Sequence, residues 1–427
     1  MVPLFSAVFV LVIIDTSAID VSQYLESYTS KTGVIAFLIL VCMSGLFQYE
    51  IIKRVRNNVV VHLLKSPSIL SVTNLIVPIL LLVLLVTSVF EMIILNLYHS
   101  VLIKIIIWIS YGLAITNMSS LLYNFFQWIK FNKNYLIVFF FFAILALCVN
   151  FISALISIIQ EQYSEQQVIT ESRNRIQSSS NTYDIYNSIY DYTLAVAFIM
   201  LWVSSLLLLF HYSKKFGKVI YLFLFLLPLL YFLGRFSPLF SGYFLELSFD
   251  YPNQAMIIYT ILLASGKPLG GFLFGTVFWI ASKNVSNKIL KEYFSLAAYG
   301  MMLLFTSNQV MALSSLDYPP FGIITISLLG LASYLIFIGI YTSSICVAQD
   351  RELRRFLIKS KEKQQDLMSQ LGTAQMERSL VKTAELVINK MKAKTGVEYV
   401  DDDNYKSYLN EVIREVEKNK ARDEKSS

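Results

Sequence analysis

Apolar runs about as long as a bilayer is thick recur along this chain, and that recurrence restricts its fold more than any other feature. A helix needs roughly 20 residues to cross the hydrocarbon core. In lipid every backbone N–H and C=O must pair within the protein, so such runs are helices. The 427 residues are 56% hydrophobic and 15% charged, where a soluble protein carries about 25% charged residues. The expected fold class is all-α: a polytopic transmembrane helical bundle with a small helical cytoplasmic C-terminal tail. The 31 Phe and 26 Tyr suit membrane spans and their interfacial belts.

Residues 1–18 come first. Val2 to Ile14 is a short apolar run followed by Asp15-Thr16-Ser17-Ala18. It reads either as a signal peptide or as a retained N-terminal anchor, and no basic residue precedes it. Residues 33–346 then read as a transmembrane bundle of about nine helices. The spans are expected near Gly33–Ile52, Val72–Leu95, Val101–Phe126, Tyr135–Ile159, Thr193–Phe210, Val219–Phe236, Ala255–Ser282, Tyr293–Leu313 and Phe321–Cys346. Basic residues follow alternate spans: Lys53, Arg54 and Arg56, then Lys130 and Lys133, then Lys214, Lys215 and Lys218, then Lys283, Lys288 and Lys291. Positively charged loops stay inside. The expectation is a cell-membrane protein with the mature N-terminus outside and the C-terminus cytoplasmic. The polar stretch from Gln160 to Tyr192 is expected to be an exterior connector, broken at Ser178-Ser179-Ser180-Asn181.

The tail, residues 347–427, changes character. Arg351, Arg354, Arg355 and Lys359 lie beside the membrane and suit anionic headgroups, although the positive-inside rule alone accounts for them. Gly372 and Thr373 are expected to interrupt the helix there. Met376, Leu380, Ala384, Val387 and Met391 recur at helical spacing, up to Gly396. Asp401-Asp402-Asp403-Asn404 caps a last helix with Tyr405, Tyr408, Leu409, Val412, Ile413 and Val416 on one face. These apolar faces are expected to pack on each other, on a second copy or on a protein partner.

One expected span is broken in its middle by Gly266-Lys267-Pro268-Leu269-Gly270-Gly271. A lysine at mid-membrane costs about 2.5–3.5 kcal/mol and needs a partner, a wet cavity or a purpose. Pro268 breaks the helix, Ser265 can cap the restart, and Lys267 beside the freed N–H groups would suit an anion. In the structural alternative, Gly266 with Gly270 and Gly271 with Gly275 are small-residue pairs that admit a neighbouring helix, and Lys267 snorkels. The next span carries Thr306-Ser307-Asn308-Gln309. The candidate ligand-binding residues are therefore Lys267, Ser265, Asn308 and Gln309, with interhelical hydrogen bonding as the plainer role. Glu91 is a candidate ion-pair partner for Lys267 or Lys104, or else a wet surface carboxylate.

Several functions are not expected. Cys42, Cys148 and Cys346, like His62, His99 and His211, show no metal-ligand spacing, so no metal, cofactor or disulfide framework is expected. Gly266-Lys267-Pro268 lacks the rest of a phosphate loop. The Asp401 cluster has Tyr405 where a calcium loop needs an oxygen ligand. No nucleophile–base set appears in the spans, so the chain does not read as an enzyme. The basic residues cluster beside spans and in the tail, which argues against nucleic acid.

After Tyr299 the chain reads GMMLLFTSNQ, then YPPFGIITISLLGLASYLIFIGIYTSSICVAQDRELRRFLIKS, LGTAQMER and YKSYLNEVIREV. Over this last third it resembles a group of uncharacterised archaeal multi-pass membrane proteins. The resemblance implies that the last two spans and the tail form one unit, and it brings no catalytic residue. The favoured function is a membrane sensor or signalling-assembly protein whose tail docks a partner. The alternatives are a small-solute or ion transporter with a midplane site around Lys267, and a structural subunit of a membrane complex.

Overall fold

The computed structural model describes residues 7–8, 10–12, 14–15, 31–55, 76, 79–80, 83–87, 90, 100–170, 176–216, 222, 226, 270–280, 282–283, 288–308, 322–349 and 370–383. Among them the chain is an all-α helical bundle with no strand. The helices are α1 (Lys31–Val55), α2 (Ser100–Phe131), α3 (Tyr135–Thr170), α4 (Ile176–Phe216), α5 (Gly270–Ile280), α6 (Lys288–Ser307), α7 (Ile323–Gln349) and α8 (residues 370–383). Five of them, α1, α2, α3, α4 and α7, contain segments long and apolar enough to cross a membrane. These match five of the expected spans, and the chain is a membrane protein. The expected spans at Val72–Leu95 and Val219–Phe236 fall mostly outside the described residues, as does the Gly266–Leu269 break.

The bundle is organised around α7. Every residue from Gly322 to Ile340 is buried, so protein surrounds this helix on all sides. Small residues on several of its faces permit this. A Cβ on Gly330 would come within 2.8 Å of Leu113, and one on Gly339 within 2.6 Å of the Ala297 backbone. On α6, a Cβ on Gly300 would meet backbone atoms of Ala332 and Ile336 at 2.8 Å. The Gly300–Ile336 and Ala297–Gly339 contacts run in opposite chain directions, so α6 and α7 are antiparallel. Leu113 and Asn117 of α2 meet Gly330 and Ser333 in the same order, so α2 and α7 are parallel.

Glycines also seat α5 on its neighbours. A Cβ on Gly270 would strike the Phe198 ring, one on Gly271 the Met302 carbonyl at 2.9 Å, and one on Gly275 the Ala298 carbonyl at 2.7 Å. Phe198, Phe274 and Phe305 fill the space beyond, with ring centroids 5.1, 5.1 and 5.8 Å apart. The small-residue reading of Gly271 and Gly275 is thus seen directly as close helix approach.

Four local expectations change. The Ser178–Asn181 stretch is not a break but lies inside α4, which begins at Ile176. Serine and asparagine lower helix propensity by only a few tenths of a kcal/mol each, and α3 packs alongside as the other arm of a hairpin. At 36 and 41 residues, α3 and α4 are about 54 and 62 Å long, well beyond a roughly 30 Å hydrocarbon core. Helix α6 begins at Lys288, five residues before the expected Tyr293, and is described to Ser307, while residues 309–313 of that expected span lie outside the described residues. Gly372 and Thr373 do not interrupt α8; Gly372 is buried where a Cβ would overlap Val347 of α7. Lastly, alternation of basic loops places the Val55 end of α1 beside the Gln349 end of α7. Instead Gln48 Nε2 donates to Ser327 Oγ at 3.2 Å, which joins the Val55 half of α1 to the Ile323 end of α7.

The N-terminal segment belongs to the same core. Val8, Leu11 and Val12 are buried. Asp15, fully buried, caps α7: its Oδ1 accepts the Gly322 N–H at 3.1 Å, and its Oδ2 accepts the Thr325 N–H at 3.0 Å and the Thr325 hydroxyl at 2.7 Å. A carboxylate at a helix N-terminus satisfies otherwise orphaned donors and the helix dipole together. Gly322, at φ 91, supplies the left-handed turn that aims these donors at it.

Candidate functional site

Two polar clusters stand out from the apolar packing. The first centres on Asn308. Its N–H closes the last turn of α6 on the Leu304 carbonyl at 3.1 Å, which leaves its own carbonyl and side chain to other helices. The Tyr111 hydroxyl of α2 donates to Asn308 Oδ1 at 3.0 Å. The Tyr190 hydroxyl of α4 lies 3.1 Å from the Asn308 carbonyl oxygen and 3.2 Å from Oδ1. Asn308 Nδ2 donates to Asn150 Oδ1 of α3 at 2.7 Å. Asn150 Nδ2 in turn donates to the Tyr190 carbonyl at 2.7 Å and to Thr193 Oγ1 at 3.3 Å. The Tyr190 carbonyl is open to this second bond at the side of the helix, where it also receives the Thr193 hydroxyl at 3.1 Å.

This node ties α2, α3, α4 and the end of α6 together within the membrane thickness. Tyr111 lies about 16 Å along α2 from Ser100, and Asn150 about 22 Å along α3 from Tyr135. Tyr111, Asn150, Tyr190 and Asn308 are each 0–2% exposed. Their donors and acceptors satisfy one another, which is how buried polar groups in lipid avoid a desolvation cost. The neighbouring Ser110 and Ser307 hydroxyls are buried with no hydrogen-bond partner among the described residues. Among the described residues the node contains no carboxylate, imidazole or thiol. Its chemistry is hydrogen bonding between helices, set by amide and phenol geometry.

The second cluster joins the tail to the bundle. Asn124 and Trp128 on α2 and Asn132 just past its end are spaced four residues apart and so share a face. Opposite them on α8 stand Arg378, Gln375 and Gln370. Arg378 Nη1 donates to Asn124 Oδ1 at 2.8 Å, Trp128 Nε1 donates to Gln375 Oε1 at 2.9 Å, and Asn132 Nδ2 donates to Gln370 Oε1. The order is antiparallel, forming a three-rung ladder of unlike polar groups. Leu371 and Ala374 are fully buried beneath it, and Gly372 meets Val347. The docking face of α8 is therefore Gln370, Leu371, Ala374, Gln375 and Arg378. Of the face predicted from apolar spacing, Leu380 is 44% exposed and Met376 half-buried, while Ala384, Val387 and Met391 lie outside the described residues.

Of the residues singled out from sequence, Asn308 is described and is the centre of the first cluster. Lys267, Ser265, Gln309 and Glu91 lie outside the described residues, as do Arg351, Arg354, Arg355 and Lys359. The structure brings to Asn308 three partners that the sequence reading did not select: Tyr111, Asn150 and Tyr190. A usable signal existed for Asn150, a lone amide inside an otherwise apolar run, since intramembrane amides are rare and seek partners. The tyrosines gave none, because their spacing suits an interfacial belt equally well. Among the described residues no group of His, Cys, Asp and Glu could hold a metal ion. No protein-family model, curated protein or solved structure matches this chain.

Proposed function

We propose that this membrane protein is a sensor or signalling-assembly protein whose C-terminal tail is the output, held against the bundle in the state seen here. The observation that carries the reading is the three-rung ladder between α2 and α8. Two rungs join an indole or an amide to an amide and net only about 0.5–1.5 kcal/mol each, and the Arg378–Asn124 rung, with its charged donor, nets about 1.5–3 kcal/mol. A contact of that strength can be opened by a modest change at the other end of α2 or α7. Both helices extend to the far side, α2 through Tyr111 in the Asn308 node and α7 to its Asp15 cap. A rearrangement of either cluster therefore has a packed route to the ladder. The basic residues Lys130, Lys133, Lys283 and Lys291 lie at the ladder end of the bundle, against Lys53 at the Ile323 end of α7, and on that majority the positive-inside rule makes the ladder end cytoplasmic.

The test is a pull-down from native membranes with three chains: full length, truncated after Ser360, and Gln370→Ala/Gln375→Ala. A partner lost on truncation and recovered in larger amount with the ladder variant is the expected result. If the truncated chain retains the same proteins in the same amounts, the tail is not the output and the proposal fails.

A further inference from the structure

We infer that the docked tail completes a binding site for an anionic phospholipid headgroup, built from Arg378 of α8 and Lys130 of α2 around two lipid-facing aromatic rings. The inference rests on the docked position of α8 and not on the signalling role proposed for it.

The lipid-facing side of α2 is a regular stripe. Thr116, Ser119, Tyr123, Phe126 and Lys130 are exposed, whereas Asn117, Met118, Leu121, Asn124, Phe125 and Trp128 are buried. Tyr123 is 58% and Phe126 47% exposed. A basic group sits over each ring: the Arg378 guanidinium carbon is 5.8 Å from the Tyr123 centroid, and Lys130 Nζ is 4.6 Å from the Phe126 centroid. Tyr123 and Phe126 are three residues apart, about 4.5 Å of rise. The two basic groups therefore lie over neighbouring rings of one lipid-facing stripe of α2, at the level where headgroups sit. Lys382 follows Arg378 by four residues on α8 and is exposed, so it adds positive charge on the same face. Glu377 is the adjacent residue in sequence, about 100° round the helix from Arg378.

Depth fits a headgroup. Helix α2 has 32 residues, about 48 Å, against a hydrocarbon core of roughly 30 Å. A core beginning near Lys104 ends near Tyr123, which leaves Trp128, Lys130 and Asn132 among the headgroups. Aromatic rings with basic groups at that level are the usual anchors of an interface. What distinguishes this pair is that the two cations come from different segments. Lys130 is fixed on the spanning helix, while Arg378 arrives only when α8 docks. Among the described residues the contacts of Arg378, an amide oxygen and a phenol ring, carry no negative charge. The planar guanidinium presents five N–H donors, and Asn124 takes one of them. A phosphate suits the remaining edge bidentately.

Lipid and docking are then linked. A ligand that binds only the docked form stabilises that form, so an anionic inner leaflet would hold the ladder shut. Each basic side chain near an anionic surface contributes on the order of a fivefold change in binding.

The test uses the full chain in nanodiscs of phosphatidylcholine with and without phosphatidylglycerol, with co-purified lipid counted by native mass spectrometry. The wild-type chain should retain phosphatidylglycerol over phosphatidylcholine. Lys130→Gln and Arg378→Gln should each lower that retention about fivefold, and the double variant should approach the phosphatidylcholine level. Lys130 is exposed, so its variant tests the site without risk to folding. Arg378→Lys keeps the charge but not the fork and should fall between Arg378→Gln and wild type. Equal retention of the two lipids by the wild type, or unchanged retention in Lys130→Gln, overturns the inference. A lipid preference found together with a failed pull-down would uphold this site and reject the signalling proposal.

Discussion

Replacing Asn308 with leucine gives the sharpest test of the membrane-embedded node. Leucine keeps the branched four-atom side chain and removes the amide acceptor and donor. The Tyr190 hydroxyl keeps the Asn308 backbone oxygen at 3.1 Å. Tyr111 loses the acceptor 3.0 Å from its hydroxyl, and Asn150 Oδ1 loses the donor 2.7 Å away. Two buried groups are therefore orphaned. Interhelical hydrogen bonds in membranes average about 0.6 kcal/mol, which sets a floor of about 1.2 kcal/mol. A buried group left wholly unpaired costs about 1–3 kcal/mol, which sets a ceiling of about 6 kcal/mol. Partial relaxation places the expected loss at about 2–4 kcal/mol. Tyr111→Phe removes one bond and leaves Asn308 Oδ1 with Tyr190 at 3.2 Å, so it should cost about 1 kcal/mol. In the double variant the orphaned Tyr111 hydroxyl no longer exists. Its loss should fall short of the sum of the single losses by 0.5 kcal/mol or more, the coupling of about 0.5–3 kcal/mol seen for residues in contact. The assay is reversible unfolding in bicelles, by steric trapping, for the wild type and the three variants. A loss under 0.5 kcal/mol for Asn308→Leu, or strict additivity, would refute the hydrogen-bond reasoning.

Other variants test other parts of the fold. Gly300→Ala places a methyl group 2.8 Å from backbone atoms of α7 and should cost about 1–3 kcal/mol by overpacking; Gly112→Ala, with nothing within 4 Å, should be neutral or gain about 0.5–1 kcal/mol, as melting in detergent would show. Asp15→Ala removes the acceptor for two buried backbone N–H groups of the α7 N-terminus and should cost at least the roughly 2 kcal/mol of a strong cap. Deleting residues 1–18 should cost as much or more, and equal stability of the deleted chain would show that the cap is dispensable. Gly322→Ala forces a left-handed conformation on alanine and should cost about 1–2 kcal/mol, measurable on the same scale.

Much of the architecture was legible because lipid leaves the backbone few choices. The apolar runs at Gly33, Tyr135 and Phe321 read directly as helices, and each is one. The centrality of α7 was not legible. A largely apolar helix looks much the same in sequence whether lipid or protein surrounds it, and Ser327, Gly330, Ser333 and Gly339 only hint at close neighbours. The serine run at 178–181 read as a break because its local propensity is weak, yet pairing with α3 outweighs a few tenths of a kcal/mol per residue. Tail docking escaped notice for a different reason. Hydrophobic spacing picked out Met376 and Leu380, but α8 binds through amides and an arginine, which in sequence look like a solvated face. Of the candidate site, Asn308 was legible as a rare intramembrane amide. Its partners come from helices 118 to 197 residues away in sequence, and no local pattern encodes that meeting.

The most direct test of the account is the position of α8 in a membrane. Spin labels at exposed Phe126 and Ser379, in a chain with Cys42, Cys148 and Cys346 replaced by alanine, report the distance between α2 and α8 by pulsed electron resonance. A docked α8 gives one short, narrow distribution in the intact chain that becomes broad and longer in Gln370→Ala/Gln375→Ala. A broad distribution in the intact chain, or a narrow one that the ladder variant leaves unchanged, would contradict it.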